Sequence, residues 1–155
     1  MAEMKGPDGL EKFANECLEA LITENPTEFK YPNNCSLNHW PVDKIKARNK
    51  VILDGLRNSG NVYALYTKSK NKNAKWVPVY VGQRKSVSLR ERITQHLITK
   101  DGRTGSMLEA IKTAVADGNK IAISYIKVKP ESLRLYVEET IIAKRKKTLP
   151  WNTHG

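Results

Sequence analysis

The 155-residue sequence predicts a mixed α+β fold. Two segments near the N-terminus repeat apolar residues at helical spacing. From residue 60 onward, short aromatic and β-branched runs alternate with polar turns, as strands do. The order of elements from that point reads β-β-α-α-β-α. Residues 1–57 form an N-terminal helical extension in this reading, and residues 58–155 form the core.

Residues 9–23 place Leu10, Phe13, Cys17, Leu18 and Leu21 on one stripe, with acids opposite. Pro26 ends that helix, and residues 25–41, with Pro26, Pro32 and Pro41, read as an ordered loop. A second helix is expected over 43–57, with Asp43 near its start and Ile45, Val51, Ile52 and Leu56 facing inward. Asn58-Ser59-Gly60 stops it. Val62 to Tyr66 and Trp76 to Val81 are strand-like and flank a lysine-rich turn, so an antiparallel hairpin is the simplest pairing. Pro78 lacks a backbone donor and predicts an irregularity in the second strand.

Residues 87–99 then have a helical pattern, with Ser86 or Ser88 as a cap and Leu89, Ile93, His96 and Leu97 on one side. A loop, 101–105, leads to a helix over 107–117, which Asp117-Gly118 ends. Lys120 to Val128 alternates as a strand. Pro130 fits the first turn of a last helix, 131–147.

Charge is the informative bulk property. The net charge is +11, but residues 1–41 hold three lysines and seven acids, so residues 42–155 carry +15. A basic region of that size suits a polyanion such as nucleic acid. No run of apolar residues is long enough to span a membrane, and no amphipathic basic helix offers a membrane-surface anchor. Cys17 and Cys35 fit neither a zinc set nor a disulfide framework. Reduced thiols point to a cytoplasmic location.

Phosphodiester hydrolysis needs a group to orient and deprotonate water, positive charge at the phosphate and a metal for the developing oxyanion. Arg92 and His96 stand four residues apart on the predicted helix 87–99, so both reach one phosphate. Glu138 lies among Leu135, Val137, Ile141 and Ile142, where a carboxylate is costly unless paired or metal-bound. A single carboxylate with waters suits Mg²⁺. Glu139 is the rival ligand, and Arg90 competes with Arg92. Tyr63 and Tyr80 fall on the two hairpin strands, as packing residues or with both hydroxyls in one pocket.

Taken in order, Gly60-Asn61-Val62-Tyr63, Tyr80-Val81-Gly82, Leu89-Arg90-Glu91-Arg92, Val137-Glu138 and Pro150-Trp151-Asn152 resemble the GIY-YIG nuclease family over residues 60–152. The first motif carries an extra residue, and the span between the tyrosines is longer than in compact members. The resemblance implies a small three-stranded antiparallel sheet flanked by helices. It implies one Mg²⁺ per site, replaceable by Mn²⁺, held by Glu138. It casts Tyr63 as base or water-positioner, Tyr80 as its partner and Arg92 as the phosphate ligand. His96 would assist proton transfer or phosphate binding, and Asn152 would order the site.

Double-stranded DNA is the expected partner. Lys68, Lys70, Lys72 and Lys75 on the hairpin tip and Gln83, Arg84 and Lys85 after the second motif are candidate backbone contacts, Arg90 is a further DNA-binding candidate, and Arg103, in the middle loop, is a candidate groove contact. The leading expectation is a small type II restriction endonuclease acting as a homodimer, since cutting both strands takes two sites. A nicking nuclease of repair or branch type, and a non-catalytic DNA-binding module, are the alternatives.

Overall fold

The computed structural model describes residues 1–99 and 106–152. It is a mixed α+β structure with a four-stranded antiparallel sheet and six α-helices among those residues. In chain order the elements are α1 (Leu10–Leu21), β1 (Thr27–Phe29), α2 (Val42–Arg48), α3 (Lys50–Gly55), β2 (Val62–Lys68) and β3 (Val77–Gln83). Then follow α4 (Leu89–Leu97), α5 (Leu108–Ala116), β4 (Lys120–Ile126) and α6 (Arg134–Arg145). Short 3₁₀ turns, Ser86–Ser88 and Glu131–Leu133, lead into α4 and α6.

The sheet order is β1-β4-β2-β3. The expected three strands are therefore one short. The fourth is β1, inside the segment expected to be a loop, where Thr27, Glu28 and Phe29 pair with Ile123, Ala122 and Ile121. Three residues between Pro26 and Pro32 are too few to display an alternation. What makes them a strand is the free edge of β4, far away in sequence, and the burial of Phe29.

The expected single helix over 43–57 is two. It breaks at Asn49, whose φ of −113° is not helical. The buried Asn49 amide instead bonds to backbone. Its Oδ1 accepts the Lys30 N–H at 2.7 Å, and its Nδ2 donates to the carbonyls of Lys30 and Ile45 at 2.8 Å. Asparagine offers the chain this alternative to a helical ladder, and here it ties the helix pair to the end of β1. The break also resets the helical phase. Val51, expected inside, is 87% exposed, and Leu53 takes the buried position.

The hairpin of β2 and β3 forms as the alternation suggests, with Tyr63 opposite Gly82 and Leu65 opposite Tyr80. The register then slips, Tyr66 facing Pro78, which leaves Val79 without a cross-strand partner. The bulge falls beside Pro78, where a missing N–H costs the ladder least.

Alternating side chains of the sheet enter two cores. Tyr63, Leu65, Ile121 and Ile123 pack with Ile45 and Leu53 of α2–α3, with Leu89, Ile93 and Leu97 of α4 and with Ile111 of α5. Val62, Ala64, Tyr66, Val81 and Ala122 pack with Cys17 and Leu21 of α1 and with Val137, Ile141 and Ile142 of α6. Full burial of each large apolar side chain contributes about 1.5–3 kcal/mol, so the N-terminal segment completes both cores. Both cysteines are free. Among the described residues no helix is long and apolar enough to cross a membrane.

Candidate active site

Strand β2 sends Tyr63 into the first core face, where it is 1% exposed. Its ring lies over Gly82, and a Cβ built there would come within 2.4 Å of the phenolic oxygen. Tyrosine on one strand and glycine opposite are thus one packing unit. Tyr80, two residues before Gly82 and half-buried, stands beside it, the two ring centroids 6.3 Å apart.

Helix α4 presents His96 to the same place. The imidazole is fully buried, its Nε2 2.7 Å from the Tyr63 hydroxyl, and its centroid is 5.3 Å from that of Tyr80. The Met107 N–H donates to His96 Nδ1 at 3.0 Å. That bond fixes the tautomer. In neutral histidine one nitrogen accepts and the other carries the proton, so Nε2 carries it and donates to the Tyr63 oxygen. Burial, with Arg92 and Arg84 nearby, lowers the His96 pKa from 6.5 to about 3. The imidazole is therefore neutral near pH 7. It serves as a fixed donor to the phenol, and a charged imidazolium at the phosphate does not fit this environment.

One turn earlier on α4, Arg92 acts on both phenols. Burial raises the Tyr63 phenol well above its ordinary 10.0, and Tyr80 and the Glu138 carboxylate push the same way, while Arg92 pulls it down. Tyr80 is also raised, again by burial first, with Arg92 opposing. Arg92 is held from behind by Gln95, itself 7% exposed, whose Oε1 accepts from Arg92 Nη1 at 3.1 Å.

Glu138 comes from α6, on the other side of the sheet, and its carboxylate bears electrostatically on both tyrosines. It is half-buried, whereas Glu139 is exposed. Desolvation first, and the neighbouring Glu139 second, raise the Glu138 carboxyl from 4.5 to about 7. Among the described residues no group of three or more His, Cys, Asp or Glu side chains forms a metal cage. The chemistry of this donor set fits a cation that keeps most of its water and needs one carboxylate, as Mg²⁺ does.

Asn152 was expected to order the site, and its side chain bonds the strand next to Tyr80. Its Oδ1 accepts the Val81 N–H at 2.8 Å and its Nδ2 donates to the Val81 carbonyl at 3.0 Å, while the Trp151 N–H donates to Val79 at 2.9 Å. The tail thus lies as a turn against the outer edge of β3 and holds the residues either side of Tyr80. Asn61 repeats the device, pairing both amide ends with the Val128 backbone at 2.8 and 2.9 Å.

The basic candidates separate. Arg84 is exposed, and its charge reaches His96. Lys85 is exposed just after it. Gln83 is occupied, its Oε1 accepting from Arg134 Nε at 2.9 Å. Lys68 lies over the Trp76 ring, 5.4 Å from its centroid, and Lys70 packs beside Gly118. Lys72 and Lys75 are exposed on the turn. Arg90 faces away from the cluster toward Asp54, 3.6 Å away. Arg103 lies outside the described residues. Gln95 was not among the expected site residues, and Asn61 appeared only as a motif residue, without this role. Gln95 stands three residues after Arg92, a spacing that flags a helical neighbour. Nothing local distinguishes Asn61, because its partner is 67 residues on.

Comparison of the chain with family models, with curated proteins and with solved structures finds no match.

Proposed function

We propose that the protein is a divalent-metal-dependent endonuclease that hydrolyses phosphodiester bonds of duplex DNA, in the manner of a small restriction enzyme working as a homodimer. The observation that carries this reading is the contact of Tyr63, Tyr80 and His96, from β2, β3 and α4, with Arg92 of α4 and Glu138 of α6 bearing electrostatically on both phenols. Structural packing alone gives no reason to bring two phenols, a guanidinium and a costly carboxylate together.

Each group has a task in such a reaction. Arg92 neutralises the scissile phosphate, with Gln95 fixing the planar fork of donors. Tyr63 orients the attacking water through its hydroxyl, and His96 holds that hydroxyl by donating to it. The phenol is protonated in the free protein, so its use as a base depends on added positive charge from Arg92 and the active complex. Tyr80 closes the apolar wall and keeps bulk water from the phenol. Glu138 is the metal-holding group. A bound Mg²⁺ supplies positive charge for the developing oxyanion and lowers the pKa of groups around it. The excess of +15 over residues 42–155 supports a polyanionic substrate.

The test is a supercoiled-plasmid assay with Mg²⁺, with Mn²⁺ and with chelator. Linear products of discrete length are expected with either metal, and none with chelator. Relaxed circles alone would replace the restriction reading by a nicking enzyme. Binding without cutting under any divalent ion would leave a non-catalytic module.

A further inference from the structure

Helix α4 has a second face. Between it and the α2–α3 pair runs an open groove of about 920 Å³, separate from the catalytic cluster. One wall carries Lys46, Lys50 and Arg57, all exposed, and the other carries Arg90. Two acids also line it, and both already have donors. Asp54 sits 3.0 Å from Lys50 and 3.6 Å from Arg90, and Glu91 Oε1 accepts from Gln95 Nε2 at 3.4 Å. Lys46 and Arg57 make no ion pair among the described residues. Arg90 is under-satisfied, its Nε buried with no acceptor. A groove with four cations and two engaged anions is short of negative charge.

The groove is also joined to the reaction centre. Gln95 lines it and, on its other side, accepts from Arg92 at 3.1 Å. The groove and the catalytic guanidinium are therefore one hydrogen bond apart.

We propose that this groove binds the sugar-phosphate backbone of the nucleic-acid strand next to the scissile phosphate, with Lys46, Lys50, Arg57 and Arg90 as its phosphate ligands. This rests on the nuclease reading and gives the N-terminal segment a substrate-binding role. Asp54 keeps Lys50 and Arg90 extended across the groove until phosphates compete for them. Because backbone phosphates repeat in every sequence, the groove contributes affinity and strand path without base preference.

The experiment measures anisotropy of a labelled duplex in chelator, over a series of salt concentrations. It compares the full chain with the triple variant Lys46→Ala, Lys50→Ala, Arg57→Ala. A control triple, Lys129→Ala, Lys146→Ala, Lys147→Ala, removes the same charge elsewhere. The groove triple should bind at least tenfold more weakly, with the slope of log K against log salt shallower by about 2 to 3. The control should stay within about threefold of the parent. If the groove triple binds like the parent, or no worse than the control, the groove proposal is overturned while plasmid cleavage by the parent still upholds the nuclease reading. If the parent binds no duplex, the nuclease reading falls first and the groove with it. Thermal melts check folding, and Lys46→Glu alone gives the same comparison if the triple variant melts early.

Discussion

The Tyr63 hydroxyl lies 2.7 Å from His96 Nε2, and the Met107 amide occupies the other ring nitrogen at 3.0 Å. The imidazole is thereby committed to giving a proton in its bond to the phenol. Tyr63→Phe removes the acceptor of the His96 bond and, on the proposed mechanism, the hydroxyl that orients water, but keeps the ring over Gly82. Cleavage should fall at least about 100-fold, and duplex affinity should change less than about threefold. Single-turnover cleavage and anisotropy on the same preparation check this. Equal losses in both would mean that the hydroxyl serves binding.

Burial of neutral His96 has a cost in acid. Its folded pKa, about 3, lies below the ordinary 6.5. The unfolded chain therefore takes up a proton that the folded one refuses. The contribution is intact above pH 6.5 and is lost as pH falls toward 3, at about 1.4 kcal/mol per pH unit. Urea unfolding at pH 7 and pH 5 should show a loss on the order of 1–2 kcal/mol. His96→Gln should flatten that dependence, and an unchanged slope in the variant would assign the acid sensitivity to other groups.

Glu138 works with the opposite sign. Its folded pKa, about 7, lies above 4.5, so the fold favours the protonated carboxyl. That stabilisation is full below pH 4.5 and gone once pH rises through 7. At pH 8 the metal-free protein therefore carries a destabilising carboxylate. Glu138→Gln should raise its stability on the order of 1–2 kcal/mol, allowing for solvent screening. The same change should abolish Mg²⁺-dependent cleavage. In the parent, the Mg²⁺ concentration needed for half-maximal cleavage should climb as pH drops below about 7, because protons compete for the ligand.

Gly82→Ala tests the packing unit. The added methyl meets the Tyr63 oxygen at 2.4 Å, and the ring must move off His96. A destabilisation of about 1–3 kcal/mol is expected, with cleavage reduced more than the melting point alone explains. Unaltered cleavage would show that the phenol tolerates displacement.

Asn152→Ala should loosen the edge of β3 next to Tyr80. Losing two backbone contacts costs about 1–3 kcal/mol. Hydrogen exchange at Val81 should rise more than at Ala64, whose strand is paired on both sides. Matching increases at both amides would point to global destabilisation.

How much of this was legible in the chain depends on the range of each interaction. The hairpin, α1, α4, α5 and α6 follow from apolar periodicity over a few residues, and the Arg92/His96 face follows from helical spacing. Tyr63 and Gly82 were visible as motif residues, but their contact required the strand register. β1 was hidden because three residues carry no period and their partner begins at Lys120. The helix break was hidden because Asn49 is an ordinary helix-surface residue until Lys30 offers its backbone. The sequence marks Asn152 as a residue that orders the site by hydrogen bonds, but which backbone it takes, that of Val81 beside Tyr80, depends on the strand placement. The groove depends on how two helices are spaced, and no single segment encodes that.

The tail that runs beside β3 also governs how neighbouring molecules meet. Residues 151 and 152 occupy the outward-facing peptide groups of Val79 and Val81. A chain shortened to Leu149 would leave those groups bare on a valine-rich border. Bare borders of that kind recruit strands from other molecules. Such a truncation should self-associate with rising concentration even where its secondary structure survives.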